Sequence, residues 1–199
     1  ILTGPYDQPL RDELRRQLDA LGIELRLGSA LTELPSAPPA TLAPIRIGTE
    51  DGDELVADIG FRALGVRPHS EYGAGGSLED RRDERGYLRV DEHLRVVGET
   101  NVFAVGDVSD ADRDMAGIAT QQAGVVAANV RASMAGESEL TSWETFPPLI
   151  AIPLGPEGGA GFIGDGVADA ATIAELKGQH MLIDTYASLF DAVPAATGA

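Results

Sequence analysis

The chain has 199 residues, 43% of them hydrophobic, which is enough for one large domain or two small domains with a packed core. Its formal net charge is −17, from 32 acidic and 15 basic residues, which argues against a nucleic-acid partner and against docking on anionic lipid. The absence of cysteine excludes disulfides and zinc-thiolate sites, and no apolar run reaches the roughly 18 residues of a membrane helix.

The first elements predicted along the chain are a helix and a strand. Leucines recur at helical spacing from Leu10 to Leu21, which indicates an amphipathic helix over residues 7–21. Gly22 is suited to end it. Residues 23–27 then alternate between apolar and charged side chains, which predicts a half-buried strand.

A short β-meander follows a loop. Residues 35–44 are rich in proline and alanine and predict the loop. Residues 45–47 and 55–59 predict two strands, joined by a tight turn at residues 50–53. Residues 61–64 are expected to continue the second strand towards Gly65.

The second half of the chain begins after a glycine-rich break at residues 73–76. The apolar run over residues 102–105 predicts a buried strand, which ends at Gly106 and Asp107. Residues 114–134 predict a long alanine-rich helix. Pro147 and Pro148 indicate a domain boundary, and a terminal helix is expected near residues 185–192.

The end of the strand over residues 102–105 has the features of a ligand site. Small residues at Ala104 and Gly106 let a ligand approach the backbone closely. Asp107 places a carboxylate past the carboxyl end of the strand, where open α/β sheets bind ligands, and it can accept hydrogen bonds from sugar-like hydroxyls. The free N–H groups of the following helix favour electron-rich oxygens at the same place.

Residues 100–107 are similar to the second FAD fingerprint of the pyridine-nucleotide-dependent flavoprotein reductases, and residues 86–94 resemble the stretch that precedes it in that family. The resemblance implies an α/β, Rossmann-like FAD/NAD(P)-binding fold, of which this chain is the C-terminal portion with a β-meander and a small α+β C-terminal domain. It implies three parts: residues 1–72 complete the NAD(P)H-binding domain, residues 73–134 return to the FAD domain, and residues 135–199 form the C-terminal domain.

The resemblance also implies which residues bind cofactors. Asp107 matches the family's aspartate that holds the ribityl chain of the flavin, and residues 63–68 resemble the stretch in which a glycine, here Gly65, approaches the nicotinamide. The full set of residues expected to bind FAD and NAD(P)H is Gly106, Asp107, Val108, Met115, Ala116 and Gly65. Catalysis is expected to reside in the flavin, so no side chain is assigned an acid or base role.

The helix after the fingerprint indicates the electron acceptor. Residues 115–122 are similar to the helix that lies beside flavin and quinone in type II NADH dehydrogenases, with Ala116, Gln121 and Gln122 matching and Gly117 replacing the family's first glutamine. The chain also resembles the group of apoptosis-inducing factor and the ferroptosis-suppressing quinone reductase. We therefore expect Gln121 and Gln122 to lie on the side of a quinone acceptor. A ferredoxin or other acceptor, or a non-catalytic binding or assembly module with the same fold, stays open.

Two motifs look like sites and are interpreted otherwise. Asp110, Asp112 and Asp114 are spaced like the start of a calcium loop, but methionine and glutamine occupy its glycine and glutamate positions, so no metal site is expected. Residues 159–164 fit Gly-x-Gly-x-x-Gly without the strand and helix that a phosphate loop requires, and are interpreted as a turn between strands.

The family's two phosphate-binding turns are not found before Asp7, so we expect the chain to need an N-terminal half, or another chain, to complete its sheets. We therefore expect the 199 residues alone to be inactive. We expect a cytoplasmic protein, with a peripheral position at the membrane as the alternative.

Overall fold

The structure is a computed structural model that describes residues 1–33, 44–61, 63, 65–145, 149–164 and 166–187. The chain divides into two compact units. One comprises Ile1–Arg62 together with Pro148–Ala199, and the other comprises Ala63–Pro147.

The predicted first helix is confirmed as α1, Gln8–Ala20, with a proline in its first turn. Leu10 and Leu14 are buried and pack with Ala160 in the core of the first unit. Gln17 is also buried on this face. Its side-chain amide donates to Gly159 O at 2.8 Å and accepts from Gly159 N at 2.7 Å, so both backbone groups of Gly159 are satisfied by α1.

The predicted hairpin is also confirmed. Strands β1, Ile45–Gly48, and β2, Glu54–Ala57, pair antiparallel. Gly52 turns the chain with a φ of +89°, a conformation that favours glycine, and its N–H donates to Thr49 O at 3.0 Å. The loop predicted over residues 35–44 lies outside the described residues except for residue 44, and the continuation over 61–64 is described only at 61 and 63.

The strand predicted over residues 23–27 is wrong, because this segment has no regular secondary structure. Ile23 and Leu27 are 44% and 51% exposed. Alternation of apolar residues selects one face of a strand, but a strand forms only where a neighbouring backbone takes up its N–H and C=O groups. Within the described part of the chain, no β-ladder reaches residues 23–27.

The interpretation of residues 159–164 as a turn is also wrong. Gly159–Ile163 is β4, the middle strand of an antiparallel sheet with β3, Ile150–Pro153, and β5, Gly166–Ala168. A Cβ on Gly161 would lie 2.5 Å from Ile150 O and 2.6 Å from the Ile173 side chain. The glycines therefore let neighbouring backbone and Ile173 pack closely on the strand.

Ile173 ends the short helix α3, Ala170–Ile173, which continues into a π-helical turn over Ala174–Gly178. A last helix, α4, spans Ile183–Ala187 and covers the beginning of the terminal helix predicted near residues 185–192. The remainder of that prediction, like the predicted boundary at Pro147 and Pro148, lies outside the described residues.

The second unit is built on isolated β-bridges and one long helix. The strand predicted over residues 102–105 is reduced to a bridge between Phe103 and Arg95, with Ala104 N donating to Leu94 O at 3.0 Å. The buried core of the second unit consists of Leu88, Val96 and Ala104. The predicted long helix is confirmed as α2, Ala116–Ala135, which Gly136 ends in the left-handed conformation.

None of the helices in the described ranges is both long enough and apolar enough to cross a membrane.

Candidate functional site

The turn that carries the predicted site residues is held by backbone pairing with Leu88. Leu88 N donates to Val108 O at 2.8 Å, and Asp110 N donates back to Leu88 O at 3.1 Å. The Asp110 carboxylate extends this pairing by accepting from Val90 N at 2.9 Å. Residues 106–108 form a single 3-10 turn, with Val108 half-buried against the core of the second unit.

Gly106 fixes the turn against α2. Its φ is +65°, and a Cβ built on it would lie 3.0 Å from the Cβ of Ala119. Its N–H donates to Gln122 Oε1 at 2.7 Å. Glycine is required here for two reasons, because the backbone is left-handed and because α2 approaches without room for a side chain.

Asp107 presents an open carboxylate on this turn. The residue is exposed. Among the described residues, its carboxylate has neither a hydrogen-bond partner nor an ion-pair partner. Since backbone and side-chain hydrogen bonds hold the turn on both sides, Asp107 is positioned without using its own oxygen atoms. All of its acceptor capacity is therefore available to a ligand.

The N-terminus of α2 lies beside this turn, since Ala119 and Gln122, in its first two turns, contact Gly106. Met115 is the N-cap residue, and no side chain caps the helix. The first intrahelical bond runs from Ala119 N to Met115 O, so the N–H groups of the first turn are free to meet electron-rich atoms. Met115 is half-buried, and Ala116 is exposed.

Tyr87 and Asp114 form a hydrogen-bonded pair next to the turn. The Tyr87 hydroxyl donates to Asp114 Oδ2 at 2.8 Å, and the Arg85 guanidinium lies 4.8 Å from the centroid of the Tyr87 ring. This hydrogen bond, together with burial, raises the pKa of the Tyr87 phenol, and the negative charge of Asp107 raises it further. Tyr87 therefore stays a protonated donor at neutral pH.

Gly65 is connected to the same region through the segment that follows it. Its φ is +81°, and nothing in the described structure lies within 4 Å of where its Cβ would be. Pro68 and Ser70 are buried, and Ser70 Oγ donates to Gly86 O at 2.6 Å, directly before Tyr87. The structure thus brings the segment that follows Gly65 to the stretch that precedes the fingerprint.

Gln121 and Gln122, which the sequence groups together, have different environments. Gln121 is exposed, and its side-chain amide reaches back along α2 to Gly117 O at 3.4 Å. Gln122 is only 1% exposed and accepts the Gly106 N–H. Successive residues of a helix point about 100° apart, so only one of the two faces the packed turn.

Sequence reasoning missed the role of Asn129, which anchors the far half of α2. Its side-chain amide donates to His93 O at 3.0 Å and Thr141 O at 2.9 Å, and its oxygen accepts from Thr141 N at 2.8 Å. Asn129 is 1% exposed, so these bonds satisfy a buried polar group. Its position, seven residues after Gln122 on one helix face, is the sequence signal that could have identified it.

The family is identified by comparison with known proteins. The family model described as Pyridine nucleotide-disulphide oxidoreductase matches residues 1–128. The chain belongs to this family. The match includes both the residues 86–94 and the fingerprint on which the resemblance was based, so the predicted family is confirmed.

Two curated relatives agree with this membership of the pyridine nucleotide-disulphide oxidoreductase family. Human ferroptosis suppressor protein 1 is 30% identical over 123 residues, which are 61% of this chain and 33% of that protein. An FAD-dependent oxidoreductase of Flammulina velutipes is 29% identical over 129 residues, 63% of this chain and 40% of that protein. The chain spans between 33% and 47% of the length of the first curated relatives that it matches.

A solved structure shows the same fold. The crystal structure of LpdA from Mycobacterium tuberculosis superposes with a TM-score of 0.54 at 21% identity, covering 70% of this chain and 28% of that chain. The predicted fold class, the α/β fold of the flavoprotein reductases, is confirmed.

The residues present fit the flavin that the family implies. A polyhydroxylated chain needs an acceptor at close range, and Asp107 offers two carboxylate oxygens that no described residue engages. An electron-rich ring edge or phosphate needs donors, and the uncapped first turn of α2 offers backbone N–H groups. Ala116 and Gly117 are exposed and small, so the approach to these donors is open.

Proposed function

We propose that this chain is the C-terminal portion of an FAD-dependent oxidoreductase that passes electrons from NAD(P)H to a quinone. Bound FAD would supply the redox chemistry, accepting hydride from NAD(P)H and passing electrons on. The chain would supply binding and orientation. In this proposal residues 1–72 belong to the NAD(P)H-binding domain, residues 73–134 to the FAD-binding domain and residues 135–199 to the C-terminal domain.

The observation that supports the proposal is the open carboxylate of Asp107 on a turn that other residues hold in place. Gly106 is fixed by Gln122, and Val108 is fixed by Leu88. A carboxylate held in this way can accept hydrogen bonds from hydroxyl groups of the ribityl chain without rearrangement of the protein. In the proposed site, Met115 and Ala116 border the flavin from the start of α2.

Two observations support a quinone as the electron acceptor: the exposed Gln121 side chain on α2 and the negative net charge of the chain. Gln121 is exposed one turn further along the helix than Gly117, where its amide could contact a carbonyl oxygen of the acceptor. Gln122 is buried and accepts the Gly106 N–H, so its role in the proposed site would be the indirect one of holding the turn that carries Asp107. The net charge of −17 disfavours an acidic ferredoxin as partner, because like charges oppose association.

The proposal is tested on the full-length protein by the flavin content of an Asp107→Ala variant. Hydrogen bonds to an ionised acceptor contribute about 1.5–3 kcal/mol each, so the variant should lose FAD on dialysis that the unaltered protein retains. Asp107→Asn should lie between the two, since its amide oxygen still accepts but carries no charge.

The matched control is Glu139→Ala, which removes the same charge from an exposed side chain of the same unit. Its FAD content should equal that of the unaltered protein. Retention of FAD by Asp107→Ala at the level of this control would overturn the proposed role of the carboxylate.

A further inference from the structure

The start of α2 does not follow local sequence preference. Aspartate is among the strongest N-cap residues, whereas methionine is a poor one. Asp114 nevertheless lies one residue before the cap position, which Met115 occupies without any side-chain bond. The carboxylate that could cap α2 accepts a hydrogen bond from Tyr87 instead, at 2.8 Å.

Tyr87 is firmly placed to hold this carboxylate. It is 7% exposed. Its N–H donates to Asp83 Oδ1 at 2.8 Å, and its carbonyl accepts from Asp83 N at 2.8 Å. The next residue, Leu88, is paired with Val108. The Tyr87 hydroxyl is therefore a fixed donor, and a helix can gain or lose a residue at its end at little cost.

We propose that Tyr87 is a positioning residue that keeps the N-terminus of α2 open by holding Asp114 away from it. The inference rests on the proposed function, in which the free N–H groups of this helix face the flavin. Without the tyrosine hydroxyl, the Asp114 carboxylate turns to these N–H groups and caps the helix. An internal anion then competes with the cofactor for the same donors.

The test compares three variants of the full-length apoprotein, with FAD affinity measured by quenching of flavin fluorescence. Tyr87→Phe keeps the ring and removes the donor, so the dissociation constant of FAD should rise about tenfold. Asp114→Ala should bind FAD at least as tightly as the unaltered protein. The double variant Tyr87→Phe/Asp114→Ala should return to within about twofold of it, because no side chain that could cap the helix remains at this position.

A purely structural role for the pair gives a different pattern. Each single variant would then weaken FAD binding, and the double variant would be as weak as the worse of the two. That pattern, or an unchanged affinity of Tyr87→Phe, would overturn the inference.

Amide hydrogen exchange of the apoprotein gives a readout that does not depend on FAD. In Tyr87→Phe the N–H groups of residues 116–118 should exchange more slowly than in the unaltered protein, because a carboxylate now accepts from them. In the double variant this protection should disappear. Unchanged exchange in Tyr87→Phe would overturn the inference even if Asp107→Ala loses flavin, whereas retention of flavin by Asp107→Ala would overturn the proposed role of the Asp107 carboxylate and leave the exchange result at α2 unaffected.

Discussion

The N–H of Gly106 donates to Gln122 Oε1 at 2.7 Å, and this hydrogen bond joins the fingerprint turn to α2. Gln122 is 1% exposed, so the acceptor of this bond lies on the packed face of α2. The bond therefore sets the distance between the open carboxylate of Asp107 and the start of the helix. Its removal should affect the fold as well as the site.

Gln122→Met keeps the length of the side chain and removes the acceptor. A typical hydrogen bond contributes about 0.5–1.5 kcal/mol, so the free energy of unfolding of the full-length apoprotein should fall by about 1 kcal/mol. Urea denaturation measures it. Gln121→Met, on the exposed neighbour, should change the free energy of unfolding by less than about 0.5 kcal/mol. Equal effects of the two variants would contradict the structure.

Gly106→Ala should destabilise the protein, since the left-handed backbone costs an alanine about 1–2 kcal/mol and its Cβ lies 3.0 Å from Ala119. Gly117→Ala is the matched control in α2, where a Cβ meets no described atom within 4 Å. It should stabilise the apoprotein by up to about 1 kcal/mol through helix propensity. Thermal denaturation of both variants should give shifts of opposite sign, and shifts of the same sign would be inconsistent with this account.

Gln121→Leu tests the proposed acceptor side of the site. The change removes an exposed amide without altering the buried face of α2. If Gln121 contacts a quinone, the KM for quinone should rise several-fold, by about the 0.5–1.5 kcal/mol of one hydrogen bond, while the KM for NAD(P)H stays the same. Steady-state kinetics with a soluble quinone measure both constants. Equal changes in the two, or no change in either, would argue against this placement.

The Glu13 carboxyl should make the free energy of unfolding depend on pH. Hydrogen bonds from Arg16 and Gln17 lower the pKa of Glu13 to about 2. A carboxyl with a depressed folded-state pKa stabilises the fold above its ordinary value of 4.5, and this contribution is lost as the pH falls from 4.5 towards 2. Because Arg16 is largely exposed, solvent screening limits the contribution to less than about 1 kcal/mol.

Glu13→Gln should therefore lower the free energy of unfolding at pH 7, and this difference should shrink as the pH falls from 4.5 to 2. Asp19→Asn removes an exposed carboxylate of the same helix and is the control for the loss of one negative charge. Denaturation of the three proteins at several pH values between 2 and 7 measures the free energy of unfolding of each. A difference between Glu13→Gln and the unaltered protein that is as large at pH 2 as at pH 7 would count against the ion pair as its source.

The elements that depend on local pattern are predicted correctly from the sequence. The leucine spacing was enough for α1, the glycine turn for the β1–β2 hairpin, and the alanine-rich run for α2, because these structures form from residues close together in the chain. The fingerprint that ends at Asp107 was enough for the family.

The features that depend on partners distant in the chain are visible only in the folded structure. Residues 23–27 have the alternation of a strand without a ladder, while Gly159–Ile163 has the composition of a turn and is a central strand, because strand formation depends on the neighbouring backbone. For the same reason Gln122 bonds to the distant Gly106 while its neighbour Gln121 is exposed. The Asp114 carboxylate likewise accepts from Tyr87, 27 residues away, instead of capping its own helix. Periodicity shows which side chains share a face, but the partner of a buried polar group is set by packing.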